Sequence, residues 1–513
     1  MKHAIAPLLL LWSPSPASPA APSPAETSPL RYEVGLDLER DLFHVTLWPG
    51  ALGAEDRHLD FVAFAPGVHS VLDYGRFVRS LAAYDAQGAE VPVERAGTNR
   101  WKLSEPGRVD RIVYEIEDTF DAEVEDHPVV PMAGTAIEAD HVLLNTFGVL
   151  AYFENRLARP VELCVEHDEE WLVGTALKRT SDGTFHAPSY RHLADSPVLL
   201  GELSTVGIWV GDIEVEIFVH SNHPDLDAEE VLFVAGDVLQ AAERFIGFAP
   251  VERYVFLLTL FDGDSMRRNR FSSFGALEHS YSSVYALPAF AGSLEALSET
   301  IAHEFMHILT PLHLKSTILA EFDYSIPTTD GHLWLYEGVT EWSAQMLRLR
   351  GDMVDLDEHL EMLARKIRSA TAYGDAYSLA RLSAEWSTDE GRGQYGNIYQ
   401  LGALTATLLD IRLLELSKGE RGLREVFFEL LERYGKERPF EDETFVDELV
   451  AATYPEVADF FRDHVQGSRP LPYEEYFAKV GITYGPGGLE LDEDCTPGQR
   501  ALREVWVRSL TSD

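Results

Sequence analysis

Two shortages in this sequence, of cysteine and of basic residues, each exclude something. Its two cysteines among 513 residues, Cys164 and Cys495, cannot build a disulfide framework, so stability has to come from packed cores. Cys164 lies in the apolar run VELCV and reads as a buried thiol. Lys and Arg number 42 against 85 Asp and Glu, a formal net charge of -43. A surface of that sign repels phosphate backbones and anionic lipid, which excludes nucleic acid and acidic membrane as partners. The apolar run at residues 4–12 falls far short of the roughly 20 residues a membrane-spanning helix needs. Lys2 and His3 precede that run, and a Pro/Ser/Ala tract follows it. The pattern predicts a secretory signal peptide over residues 1–27, with small-residue cleavage options after Ala17, Ala20 or Ala25, and a disordered leader as the alternative. The chain is therefore expected to be exported, to the periplasm or beyond the cell.

What is present is enough apolar residue, 45% of the chain, to fill two or three domains. The chain reads as an α+β multidomain protein. Residues 28–190 consist of short alternating runs such as FHVTL, RIVYEIE and HVLLNTF broken by Gly, Pro and Asp, which predicts an antiparallel β domain. His127, His141 and His167 are scattered there and read as structural. Residues 191–345 mix types: an alternating strand at 213–220, a long helix at 225–248 with Leu232, Val234 and Val238 inward, and a buried strand at 253–261. Residues 346–485 carry helical spacing almost throughout, and 486–513 read as a C-terminal tail.

The chemistry concentrates between Gly275 and Glu341. His303-Glu304-Phe305-Met306-His307 is an H-E-x-x-H motif, and on a helix its histidines share one face a turn apart. Two imidazoles at that separation can hold one Zn²⁺, with Glu304 beside them as a base that does not ligate the metal. Ile301, Ala302, Phe305, Met306, Ile308 and Leu309 make this helix apolar on nearly every side, so its buried polar residues need partners. About thirty residues on, LWLYEGVTEW places Glu337 and Glu341 one turn apart on a second apolar helix. Glu337 can complete a His₂Glu site with one position open, the arrangement of a catalytic rather than a structural zinc. Glu341 can then orient a ligating imidazole, or it is a plain helix-surface carboxylate.

HEFMH followed by HLWLYEGVTEW resembles the glycyl aminopeptidase family of zinc metallopeptidases, gluzincins whose third ligand is a Glu on the next helix. Gly275-Ala276-Leu277-Glu278-His279 is similar to that family's G-G-L-E-H strand, and Tyr395-Gly396-Asn397-Ile398-Tyr399 to its Tyr-bearing helix. The resemblance runs from about Tyr32 to Tyr484 and implies a β domain, a thermolysin-like α/β catalytic domain and an all-α C-terminal domain. It implies one Zn²⁺ per chain on His303, His307 and Glu337, with Glu304 as general base and Tyr399 donating to the oxyanion. Tyr395 competes for that last role. It also implies that Glu278 receives the free amine of a peptide whose backbone pairs with Gly275 and Ala276; the alternative is that Glu278 braces a loop. Relatives often continue into a peptide-binding PDZ domain, and the residues after Tyr484 are expected to be too few for one. Ala276 and the segment after HEFMH depart from the family's usual residues, which leaves side-chain preference open. The expected activity is removal of N-terminal residues from peptides. A gluzincin endopeptidase and a non-catalytic peptide-binding protein are the alternatives, and the oligomeric state is not legible.

Overall fold

The structure is a computed structural model that describes residues 28–510 apart from 123, 125, 264–272, 290–292 and 375–376. The expected signal peptide at 1–27 lies outside the described residues.

The N-terminal domain is built on an eight-stranded sheet whose centre is the hairpin Leu30–Asp37 and Leu42–Trp48, flanked by Arg111–Glu117. Alternation decides the register. Tyr32 and Val34 face Leu47 and Val45 on the buried side, while Arg31 and Glu33 take the opposite face. One pairing departs from the antiparallel expectation: Leu30–Asp37 runs parallel to Val161–Val165. A second, four-stranded sheet joins Leu172–Thr175, Val198–Gly201, His141–Leu144 and Ala136–Ile137. Val198–Gly201 moves the domain boundary from 190 to about 202. Its side chains are buried without a break, and it pairs on both sides with strands of the β domain.

The mixed sheet that follows has the order Ser204–Val210, Ile213–Ser221, Arg253–Phe261, Ser282–Pro288, Gly275–His279. Its three inner strands are parallel and its two edge strands antiparallel. Arg253–Phe261 is buried at every position but the first, as suits the middle of a sheet covered on both faces. The helix Ala228–Ile246 starts on Asp227, whose carboxylate accepts the amides of Glu229 and Glu230, and stops at Gly247. Its buried stripe is Val231, Ala235, Val238, Leu239, Ala242 and Phe245. Leu232 and Val234, expected inward, are only half-buried, because a run of consecutive apolar residues blurs the phase of a 3.6-residue period.

Helices fill the rest: Leu356–Tyr373, Asn397–Ser417, Leu423–Arg433 and shorter ones around them. The expected tail is part of the fold. Ile482–Gly485 pairs with Gly488–Leu491, and the helix Pro497–Trp506 drops a fully buried Trp506 beside His359, its carbonyl capped by the Arg350 guanidinium. The single large aromatic in an otherwise charged stretch is what docks it. The thiol assignment is corrected as well. Cys164 is half-buried, 3.5 Å from the Thr184 hydroxyl, whereas Cys495 is the buried one, and both are free. Strand alternation explains this: Leu163 and Val165 take the inner face and leave Cys164 on the outer one.

Candidate metal centre

The helix Ser293–Met306 carries His303 and Glu304, and His307 follows in its last turn. The next segment, Trp334–Val339, is π-helical before it continues as the α-helix Thr340–Arg350. Such single π turns occur mostly where a helix presents functional residues. Here the turn carries Glu337. Gly338 lets the Tyr399 helix approach, because a Cβ at Gly338 would stand 2.7 Å from the Gly402 Cα.

Three ligand-type atoms converge. His303 Nε2 and His307 Nε2 are 3.1 Å apart, and Glu337 Oε2 lies 3.4 Å from the first and 3.6 Å from the second. Tetrahedral bonds of about 2.0–2.1 Å give ligand separations of about 3.3 Å. The hydrogen bonds behind the rings fix which nitrogen faces inward. His303 Nδ1 meets Glu341 Oε2 at 2.8 Å and His307 Nδ1 meets the Thr310 carbonyl at 3.0 Å. With both Nδ1 atoms donating, both Nε2 lone pairs face each other and the Glu337 carboxylate. Glu337 Oε2 is buried and finds no hydrogen-bond partner among the described residues. Buried lone pairs aimed at one point need a cation there. The residues present fit a zinc ion.

Glu341 is no surface carboxylate. Besides His303 it takes Gln345 Nε2 at 2.8 Å and Lys366 Nζ at 2.7 Å. Burial works to raise its pKa, yet the His303 and Lys366 contacts outweigh burial and hold the carboxyl below the usual range. Glu304 behaves oppositely: burial, with the Glu337 and Glu341 carboxylates near it and only His303 opposing, holds it above that range. Its Oε2 is buried and unpartnered among the described residues. A carboxylate poised in this way suits proton transfer.

The cleft in front of this centre has a volume of about 480 Å³, and every residue singled out in the sequence lines it: Gly275, Ala276, Glu278, His303, Glu304, His307, Glu337, Glu341 and Tyr399. Glu278 has a carboxylate oxygen within 4.8 Å of ligand-type atoms of both Glu304 and His307. Gly275–His279 is the last strand of its sheet, paired only with Ser282–Pro288 among the described residues, so its outer edge is open to an extended chain. The Tyr399 ring stands 5.8 Å from the His303 ring, and its hydroxyl is 3.0 Å from that of Tyr395.

Sequence reasoning missed the contribution of the β domain. Gly67, Val68, His69 and Met132 also line the cleft. Gly67 has φ +74°, and a Cβ there would lie 2.7 Å from Glu278 Oε1, so only glycine lets the loop close against that carboxylate. His69 Nδ1 is 2.6 Å from the Tyr395 hydroxyl. The Pro66-Gly67 pair marks a turn in the sequence, but nothing there says which cleft the turn enters. His141, read from the sequence as structural, joins Asp140 and His220 in a second cluster whose partners come from separate sheets and were not legible.

Residues 31–202 match the Peptidase M61 N-terminal domain, and residues 296–404 match the M61 glycyl aminopeptidase domain. The chain belongs to the M61 peptidase family. That makes it a metallopeptidase, and it bears out the resemblance carried by HEFMH and the downstream glutamates. Among solved structures, an aminopeptidase N family protein from Idiomarina loihiensis is 21% identical, with a TM-score of 0.77 over 88% of this chain and 78% of that one. A yeast LTA4 hydrolase in complex with bestatin is 14% identical, with a TM-score of 0.50 over 90% of this chain and 70% of that one. These likenesses establish the architecture: an N-terminal β domain, a mixed catalytic region and a helical C-terminal region. Among curated proteins a sequence search finds no match.

Proposed function

We propose that the protein is an exported zinc aminopeptidase that removes small N-terminal residues from peptides, with one zinc ion held by His303, His307 and Glu337. Bound there, zinc supplies Lewis acidity, polarising the scissile carbonyl and acidifying a water. Glu304 takes a proton from the attacking water and passes it to the leaving amine. Tyr399 donates its hydroxyl to the oxygen that becomes negative, a contribution on the order of 3 kcal/mol for such donors. Gly275 and Ala276 pair with the peptide backbone.

The observation that carries this reading over an endopeptidase is the Glu278 carboxylate, held beside the metal centre by the β domain. That carboxylate lies within 4.8 Å of Glu304 and His307 atoms, and Gly67 of the β domain packs directly against it. An ammonium bound there places only one residue before the scissile bond. A cavity of about 40 Å³ next to Glu278, walled by Phe64, Val68, Pro311, Leu319 and Trp386, favours a small side chain at that residue; a single water needs about 10–15 Å³ on the same measure. Export rests on the composition of residues 1–27.

Matched peptides with free and N-acetylated termini, offered to the zinc-loaded protein with a chelator control, test the reading. Cleavage of the free peptides alone, one residue at a time and abolished by chelator, is expected. Glu278→Gln should lower kcat/KM on them by about 10–100-fold. Internal cleavage of the acetylated peptides would make the protein an endopeptidase instead.

A further inference from the structure

We infer that His69, carried by the β domain, is a positioning residue for the tyrosine that serves the oxyanion. It holds Tyr395, and through Tyr395 it holds Tyr399, with the Tyr399 hydroxyl presented to the reacting carbonyl. The inference rests on the role given to Tyr399 above.

Two tyrosines one turn apart reach the cleft, and the helix alone does not decide between them. The hydrogen-bond inventory does. A phenol has one proton to give and lone pairs to accept with. Tyr395 lies 2.6 Å from His69 Nδ1 and 3.0 Å from the Tyr399 hydroxyl, so with Nδ1 protonated His69 donates to Tyr395 and Tyr395 gives its own proton to the Tyr399 oxygen. Tyr399 then accepts from Tyr395 and keeps its own proton for the side facing His303, whose ring is 5.8 Å away. His69 thus turns two equivalent candidates into a support and a donor.

The imidazole is itself held. Its ring lies 4.8 Å from that of Tyr395 and edge-on to Trp386 at 5.1 Å. The loop that carries it is pinned at both ends: Val68 N–H donates to the Ala65 carbonyl, Leu72 N–H to the Ala63 carbonyl, and Ala63 N–H to the Tyr324 carbonyl. Gly67 closes the loop against Glu278. A rotatable hydroxyl therefore ends on a fixed partner supplied by a different domain, and the site is complete only when the β domain is docked.

The test compares His69→Phe, Tyr395→Phe and the double variant of the zinc-loaded full chain on a peptide with a free terminus. Phenylalanine keeps a flat ring against Trp386 and Tyr395 but removes the nitrogen. His69→Phe is expected to lower kcat on the order of tenfold, less than the roughly 10²–10³ lost with an oxyanion donor itself. KM should stay within about twofold, because the interaction is made in the transition state. In the Tyr395→Phe background the same change should have no further effect, since the link is already cut. Wild-type kcat in His69→Phe would overturn the inference, as would an undiminished loss in the double variant. Independent of turnover, the His69 Nδ1 resonance of ¹⁵N-histidine-labelled protein should shift in Tyr395→Phe; an unmoved resonance would also overturn it. Cleavage of N-blocked peptides would sink the aminopeptidase reading while leaving this comparison intact, because endopeptidase chemistry develops the same oxyanion.

Discussion

Among the described residues two clusters combine two histidines and a carboxylate, and they differ in one angle. In the first, the His303 and His307 rings meet at 83° with their centroids 4.8 Å apart. In the second, His141 and His220 stack at 16° and 3.6 Å. A metal sits in the plane of each imidazole that binds it. The nearly perpendicular rings can therefore aim two lone pairs at one ion, whereas stacked parallel rings cannot. The carboxylates differ in the same sense. Glu337 brings a buried, unpartnered oxygen to the crossing point. Asp140 takes a nitrogen of each stacked ring, His141 Nδ1 at 2.9 Å and His220 Nε2 at 3.3 Å. His141 belongs to a strand of the β domain and His220 to the catalytic sheet, so the second cluster works as a clamp between domains. Composition alone does not distinguish a metal site from a clamp; the direction of the lone pairs does.

The most damaging break is His307→Ala. It should abolish both zinc binding and peptide hydrolysis, read by metal analysis and turnover. Glu304→Gln comes next. Zinc should remain at one ion per chain, while kcat falls by about 10³-fold or more with the loss of the base. Metal lost from this variant would mean that Glu304 is itself a ligand. Smaller again is Glu341→Gln. The neutral amide still reaches His303 but no longer balances the Lys366 ammonium, and zinc affinity should drop by about 10–100-fold, measured by chelator competition. A wild-type affinity would demote Glu341 to packing.

How much of this could be read in advance follows from how local each feature is. The spacing in HEFMH and the two glutamates one turn apart are local, and all four residues line one cleft, although the segment bearing Glu337 is a π turn rather than regular helix. Periodicity cannot register a single turn widened in that way. Tyr399 and Glu278 were legible through the family resemblance, and both line the cleft that holds the two histidines. His69 was not legible, because it reaches Tyr395 across 326 residues of sequence. Asp140, His141 and His220 are an equally non-local set. Trp506 escaped notice for a different reason: one aromatic in a charged tail is a weak signal, yet it is fully buried. The strand Val198–Gly201 shows the limit for domains, since its buried character was visible but its partners were not.

The finest test of the comparison is thermodynamic. Burial, with the His141 ring against it and only Asp140 opposing, pushes His220 down to about 4. The unfolded chain takes up a proton near pH 6.5, and the folded chain does not until about pH 4. Between these values the unfolded state binds more protons, so stability is present above pH 6.5 and is lost as pH falls through this window. At pH 5 the loss from this one ring should be about 1–2 kcal/mol relative to pH 7. His220→Phe keeps a ring stacked on His141 and has nothing to protonate. Its urea midpoint should accordingly fall less between pH 7 and pH 5 than that of the wild type, with zinc content and kcat unchanged. If the variant instead lost a metal ion, or if added zinc stabilised the wild type but not the variant beyond the effect at His303 and His307, the stacked pair would be a second metal site. The angle between the rings would then have misled.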